Sequence, residues 1–235
     1  MRLRTALLSL TLFPALFCGG AAPDGAAVIE RVEGEAFIER AGGEGQTPLT
    51  PGSFAAENDV IATGTGGVVI LRHRDNTTIE VQPNARFRIL SVAAHRSYEI
   101  ERGNVWMDFS ELDAGAEVEV HSPTAIAAVR GTRFYTFEFE DEGQTIHGTC
   151  HCQGAVAFRS TADDYSSTHE QDFVVLNVGG RTVLITPEDL APLTFWQAHA
   201  HSALPDGPIG QRATEMSPDD RELFRSIVRA KLAAL

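Results

Sequence analysis

Two cysteines and two histidines crowd into HGTCHCQG, residues 147–154 of a 235-residue chain. Cys150 and Cys152 lie one residue apart, and Cys18 near the N-terminus is the third cysteine. Thiols at that spacing suit a disulfide, a soft-metal clamp, or a pair of small buried apolar side chains. In a straight strand Cys150 and Cys152 share one face with Ile146 and Gly148, while His147, Thr149 and His151 share the other. Ile146 marks the cysteine face as the better candidate for a core. The same geometry sets His147 and His151 about 13 Å apart, too far to hold one ion. A disulfide requires the strand to kink, because Cα atoms two apart in a strand lie near the upper limit of disulfide geometry. Gly148 and Gly154 would permit a kink.

A metal site needs two more donors from the later chain. His169, in SSTHEQDF, follows Cys152 after 16 residues, and His199 and His201, in FWQAHAHS, come 30 residues further on. Cys150, Cys152, His169, His199 and His201 together offer the donors that zinc or another transition metal takes. The spacing matches no established ligand motif. His199 and His201 point the same way only if their segment is extended.

Catalytic patterns are missing from the sequence. It has no Gly-x-Ser-x-Gly elbow, no His-Glu-x-x-His and no phosphate-cradling loop. Cys150-His151-Cys152 has one intervening residue where c-type haem attachment needs two. The acidic run Glu138, Glu140, Asp141, Glu142 ends at Gly143 and reads as the solvated face of a strand entering a turn. An enzyme is not expected.

The elements that must position these residues are mostly strands. From Ala27 to about Pro187 turn residues recur every 8–12 positions, as at Pro51-Gly52, Pro83-Asn84, Gly103-Asn104 and Gln153-Gly154. Between them lie short alternating runs such as Val68–Leu71, Thr78–Val81, Phe87–Leu90 and Phe134–Phe139. That pattern predicts an all-β sandwich, barrel or solenoid over residues 27–187. Residues 188–235 read as a helical extension. Thr186-Pro187 and Ser217-Pro218 are capped helix starts, with a hydroxyl at N-cap and proline at N1. Beyond the second, Leu223, Phe224, Ile227, Val228, Lys231, Leu232 and Leu235 recur at helical spacing, which predicts a helix packed back on the β domain.

The N-terminus reads as an export signal over residues 1–21. Arg2 and Arg4 precede an apolar stretch from Ala6 to Phe17 of about 12 residues, well short of the ~20 a membrane helix needs. Lipidation at Cys18 is disfavoured by the bulky Phe17 before it. Losing Arg2 and Arg4 and no acid would move the net charge from −13 to −15. So acidic a chain is repelled by phosphate backbones, which excludes nucleic acid as a partner. A periplasmic or secreted location follows, with no transmembrane segment after cleavage.

Several blocks resemble the FecR domain family. PGSFAAENDVIATG (51–64), RDNTTIEVQPNARFRIL (74–90) and YEIERGNVWMDF (98–109) are similar to its strand-and-turn blocks. In HSPTAIAAVRGTRFYTFEFEDEGQT (121–145), Ser122-Pro123 and Val129-Arg130-Gly131-Thr132 with Phe134 resemble the family's Thr-Pro…Arg-Gly-Thr-x-Phe signature. Asn58, Asn76 and Ser122 stand where the family more often has Gly, Gly and Thr, and asparagine tolerates the left-handed turn conformation. In that register, residues 145–158 form a strand, a glycine turn at Gly154 and the next strand of a hairpin. Arg130 is expected in a structural ion pair, and Gly131 at a bulge or close backbone approach.

The resemblance implies an all-β fold, a short β-solenoid or roll with a sandwich as the alternative, to which the residues themselves add the C-terminal helical tail. It also implies a non-catalytic module that contacts a protein partner in the cell envelope. The family's anti-sigma regulators carry a cytoplasmic segment and a membrane helix, and neither is read in this sequence. The alternative function is metal binding through the Cys-x-Cys pair and the downstream histidines, the one cofactor the residues suggest.

Overall fold

The computed structural model describes residues 26–93, 95–112, 116–170, 173–194 and 217–235. Among the described residues eighteen strands form two nine-stranded sheets. Sheet A holds β1 (Ala27–Glu33), β4 (Phe54–Ala55), β6 (Val68–Arg72), β7 (Thr78–Val81), β10 (Val105–Asp108), β13 (Arg133–Asp141), β14 (Gln144–Gln153), β17 (Phe173–Val178) and β18 (Arg181–Ile185). Sheet B holds β2 (Ala36–Glu39), β3 (Thr47–Pro48), β5 (Val60–Thr63), β8 (Arg86–Ser91), β9 (His95–Arg102), β11 (Glu117–Ser122), β12 (Ala125–Val129), β15 (Val156–Ser160) and β16 (Ser166–His169). Among the described residues two helices follow, α1 (Pro187–Leu190) and α2 (Pro218–Ala233).

The chain crosses repeatedly between the sheets. Hairpins β6–β7, β13–β14 and β17–β18 lie in sheet A, and β8–β9, β11–β12 and β15–β16 in sheet B. Every described strand pair is antiparallel except β9–β11. Coil-on-coil stacking in a solenoid rests on parallel ladders, so the observed arrangement fits the sandwich alternative.

Gly154 was expected to turn a hairpin. Instead it carries the chain from β14 in sheet A to β15 in sheet B, and Gly103 does the same between β9 and β10. The backbone demand is the same in both cases, a positive φ, so the residue type does not reveal which kind of turn it makes. Asn58 and Asn76, standing where glycine is usual in the resembling family, adopt φ of 66° and 64°.

Alternation along each strand sends one set of side chains between the sheets. Phe87 and Tyr98 of sheet B meet Phe109 and Phe134 of sheet A in a run of rings with centroids 5.4, 6.2 and 6.1 Å apart. All four are fully buried, and each contact is worth about 0.5–1.5 kcal/mol beyond the area it buries. A second, smaller cluster of Ala125, Phe158 and Val175, with Tyr165 and Leu184, fills the interlayer space near β15–β18.

A third cluster lies on the outer face of sheet A. There Trp106, Tyr135, Phe137, Cys150, Val174 and Leu176 pack with Leu190 of α1 and Phe224 and Val228 of α2. This is why the middles of β13 and β14 are buried on both faces. Helix α2 begins as the sequence suggests, with Ser217 accepting from the Asp220 amide and Pro218 at N1. Polar contacts hold it down: Arg225 pairs with Asp141, Arg229 with Glu142, and Lys231 with Asp189 at 2.5 Å.

Candidate functional site

Strand β14 carries both chemically distinctive sets of side chains, one on each face. Its outer face begins with Ile146 and Gly148. A Cβ at Gly148 would lie 2.3 Å from the Phe137 ring, so glycine is what lets that ring lie across the strand. Phe137 stacks between Tyr135 and Phe139 along β13, with centroids 5.5 and 6.2 Å away. The Phe139 end of this ladder lines the groove under α2 with Ile146 and Val178, and Phe224 and Val228 line it from the helix.

Cys150 and Cys152 come next on that face. Cys150 is fully buried, Cys152 is 5% exposed, and their sulfurs stand 3.5 Å apart. That exceeds the ~2.05 Å of a disulfide bond. The register explains the close approach. Phe134 pairs with His151 and the adjacent Arg133 pairs with Gln153, which leaves Cys152 as the extra residue of a β-bulge. The bulge bends β14 where a straight strand would hold the two sulfurs further apart. Just beyond it, Gly154 packs so closely on the Arg-Gly-Thr segment that an added Cβ would sit 2.7 Å from the Gly131 carbonyl oxygen. Gly131 is thus a close backbone approach, as its sequence context implies. Arg130 pairs with Glu117.

The inner face of β14 carries His147, Thr149 and His151. His147 lies 3.5 Å from the Glu138 carboxylate across the β13–β14 ladder. His151 is fully buried against Phe158, and neither ring nitrogen has a hydrogen-bond partner. Burial, aided by the nearby His169, pushes its pKa down to about 3. His169 comes from β16 in the opposite sheet. It stacks on Phe173 at 4.5 Å, approaches the Tyr165 hydroxyl at 3.5 Å, and is also shifted down by burial.

The structure therefore brings Cys150 to Cys152, and His169 to His151. His169 stands on the inner side of sheet A and the sulfurs on the outer side. His199, His201, Cys18 and the export signal lie outside the described residues. Among the described residues no group of three or more His, Cys, Asp or Glu is placed to hold a metal. The pairing of His151 with His169 was missed in the sequence, since it joins β14 to an edge strand of the other sheet. Alternation alone did place His151 away from the cysteines.

Another buried polar cluster lies further along the outer face of sheet A. Tyr135 donates to Gln82 Oε1 at 2.7 Å, and Gln82 donates to Glu80 at 3.1 Å. Glu80 is 2% exposed and its second carboxylate oxygen has no partner; burial raises its pKa. Burial likewise raises the Tyr135 phenol, and the Glu80 charge adds to this. On the opposite side of the molecule, the outer face of sheet B carries a groove of about 610 Å³. Small side chains floor it (Ser97, Ala128, Ala157), and Glu117, Glu119 and Arg130 stand among its lining residues.

Residues 59–157 match the family model described as FecR protein. The match runs from the residue before β5 into β15, and so includes β14 and both buried cysteines. No curated protein matches the chain. Two crystal structures of a candidate anti-sigma factor from Parabacteroides distasonis ATCC 8503 are similar to it, each with a TM-score of 0.45 and 17% identity. Each similarity covers 53% of this chain and 58% of that one, so the chain spans little more than half of the solved protein's length. Among the described residues no helix is long and apolar enough to cross a membrane.

Proposed function

We propose, from the FecR domain that residues 59–157 carry, that the chain is a non-catalytic binding and sensing module of the bacterial cell envelope that acts through protein–protein contacts. The family match is the observation that carries this reading. On the fold, it covers the strands that build the middle of both sheets. One outer face of that body is occupied, because α1 and α2 pack on sheet A. The outer face of sheet B around Ala128 and Ala157 has no described element packed on it, and is the surface offered to a partner protein.

Site-specific photo-crosslinking in cells producing the full chain tests this reading. A crosslinker at Ala128 or Ala157 should give a discrete protein adduct in the envelope fraction, and one at exposed Asp219 on α2 should not. Recovery of the chain with the cytosol, or the same adducts from all three positions, overturns it.

A second reading keeps a metal at Cys150 and Cys152, with His199 and His201 as the further donors, since His169 stands on the other side of sheet A. One observation favours it: the 3.5 Å sulfur separation is close to that of two thiolates on a tetrahedral zinc with Zn–S bonds of about 2.3 Å. Elemental analysis of the protein purified under reducing conditions decides the matter. Stoichiometric metal lost in both Cys150→Ser and His199→Ala supports the reading, and its absence from the wild type ends it.

A further inference from the structure

We infer that Cys150 and Cys152 form a dithiol site that closes an intramolecular disulfide by exchange with a low-molecular-weight disulfide. The two sulfurs lie on the same face of β14, 3.5 Å apart. A straight strand holds cysteines two apart near the limit of disulfide geometry, and bridging them means bending the backbone. That bend already exists here, since Cys152 is the extra residue of the β-bulge opposite Arg133 and Phe134. Bond formation would shorten an existing contact without recruiting a distant partner.

The two positions take different roles. Cys152 is slightly exposed and sits next to solvent-facing Gln153, whereas Cys150 is fully buried beneath the apolar cover of α1 and α2. The Cys152 thiolate attacks one sulfur of the small disulfide, forms a mixed disulfide and expels one thiolate. The Cys150 thiolate then attacks the Cys152 sulfur and expels the second. Two protein thiols lose two electrons and two protons overall, and the small disulfide becomes two thiols. The burial of the pair favours a small reactant over a protein oxidant, because reaching Cys152 from outside needs only local opening of its apolar cover. This inference rests on the geometry of β14 and is independent of any protein partner.

The test is a redox titration of the purified, folded full chain in buffers of reduced and oxidised glutathione, quenched with acid and read by alkylation and intact mass. The wild type should lose both alkylatable thiols together in one two-electron transition, with an intact mass lower by two hydrogens. Cys150→Ser should stop at a glutathione adduct on Cys152, while Cys152→Ser should stay reduced. Retention of both thiols at the most oxidising poise overturns the proposal. So does a doubly glutathionylated product, a disulfide-linked dimer, or a stoichiometric metal ion shielding the pair. The wild-type titration alone decides the question if either serine variant fails to fold.

Discussion

The His151 and His169 rings stand 6.4 Å apart between the two sheets, inclined at 38°. Burial shifts both toward the neutral form, and His151 is the more strongly affected, down to about 3. His169 from sheet B is the titratable group beside His151, Tyr165 contacts that second ring, and the His147–Glu138 pair lies further along the strand of His151. The sign follows from proton counting. Unfolded, His151 takes up a proton near pH 6.5; folded, it does so only near pH 3, so stability falls as pH falls through that window. The slope from one such group is at most about 1.4 kcal/mol per pH unit. Between pH 7 and 5 the wild type should therefore lose up to about 2 kcal/mol that His151→Phe keeps, as read by urea unfolding at the two pH values. Equal losses in the two proteins would show that His151 does not stay neutral on folding.

Glu80 carries the opposite sign. Its pKa is raised in the folded state, so the folded form holds its proton to higher pH than the unfolded chain does. The associated stability is present below the unfolded carboxyl pKa and is lost as pH rises through the folded value. Glu80→Gln keeps a hydrogen-bonding side chain of the same size and removes the buried charge. It should be near neutral at pH 4 and stabilising by about 1 kcal/mol at pH 8, measured by denaturant titration. A loss of stability at pH 8 would mean that the charge is compensated by a group beyond Gln82.

Much of the β framework was legible because alternation and turn chemistry are local. Thr78–Val81 is β7 as read, Phe134–Phe139 lies within β13, and the Ser217-Pro218 cap begins α2. Which sheet each strand joins was not legible, because a glycine with positive φ serves a hairpin and a sheet crossing equally well. The hairpin expected at Gly154 is a sheet crossing for that reason. The same ambiguity hid the candidate site. Placing Cys150 and His151 on opposite faces needs only a period of two, but locating His169 beside His151 requires knowing that β14 and β16 lie in different sheets. The bulge at Cys152 was also hidden, since nothing in HGTCHCQG distinguishes a bulged strand from a straight one.

Gly148 is the narrowest point of the outer face. Its missing Cβ would meet Phe137 at 2.3 and 2.4 Å and Leu176 at 2.9 Å, and Phe137 is 3% exposed with neighbours on both sides. Gly148→Ala should cost about 1–3 kcal/mol through overpacking, despite alanine's milder backbone entropy. A variant as stable as the wild type would show that the aromatic ladder shifts freely. Gly180→Ala, at a tight turn with no atom within 4 Å of the added Cβ but with a φ of 81°, separates backbone strain from side-chain crowding.

Phe224 ties α2 to the outer face of sheet A, where it lines a groove with Phe139, Ile146 and Val178. It is 6% exposed and belongs to the same apolar cluster as Cys150 and Cys152, while Arg225 and Arg229 anchor the helix to the tip of the β13–β14 hairpin. Truncation to alanine removes a buried ring, worth about 3–5 kcal/mol where the site cannot collapse. That cost falls on α2, whose opening exposes one sheet face and leaves the interlayer core intact. Phe224→Ala should therefore raise the rate at which Cys152 reacts with a thiol reagent by at least tenfold under native conditions, while the main urea transition moves far less. The comparison is diagnostic because a thiol reached only by global unfolding would react in step with overall stability. If reactivity and the main transition shift by the same free energy, α2 and the two sheets unfold as one unit, and the thiols are guarded by the whole fold.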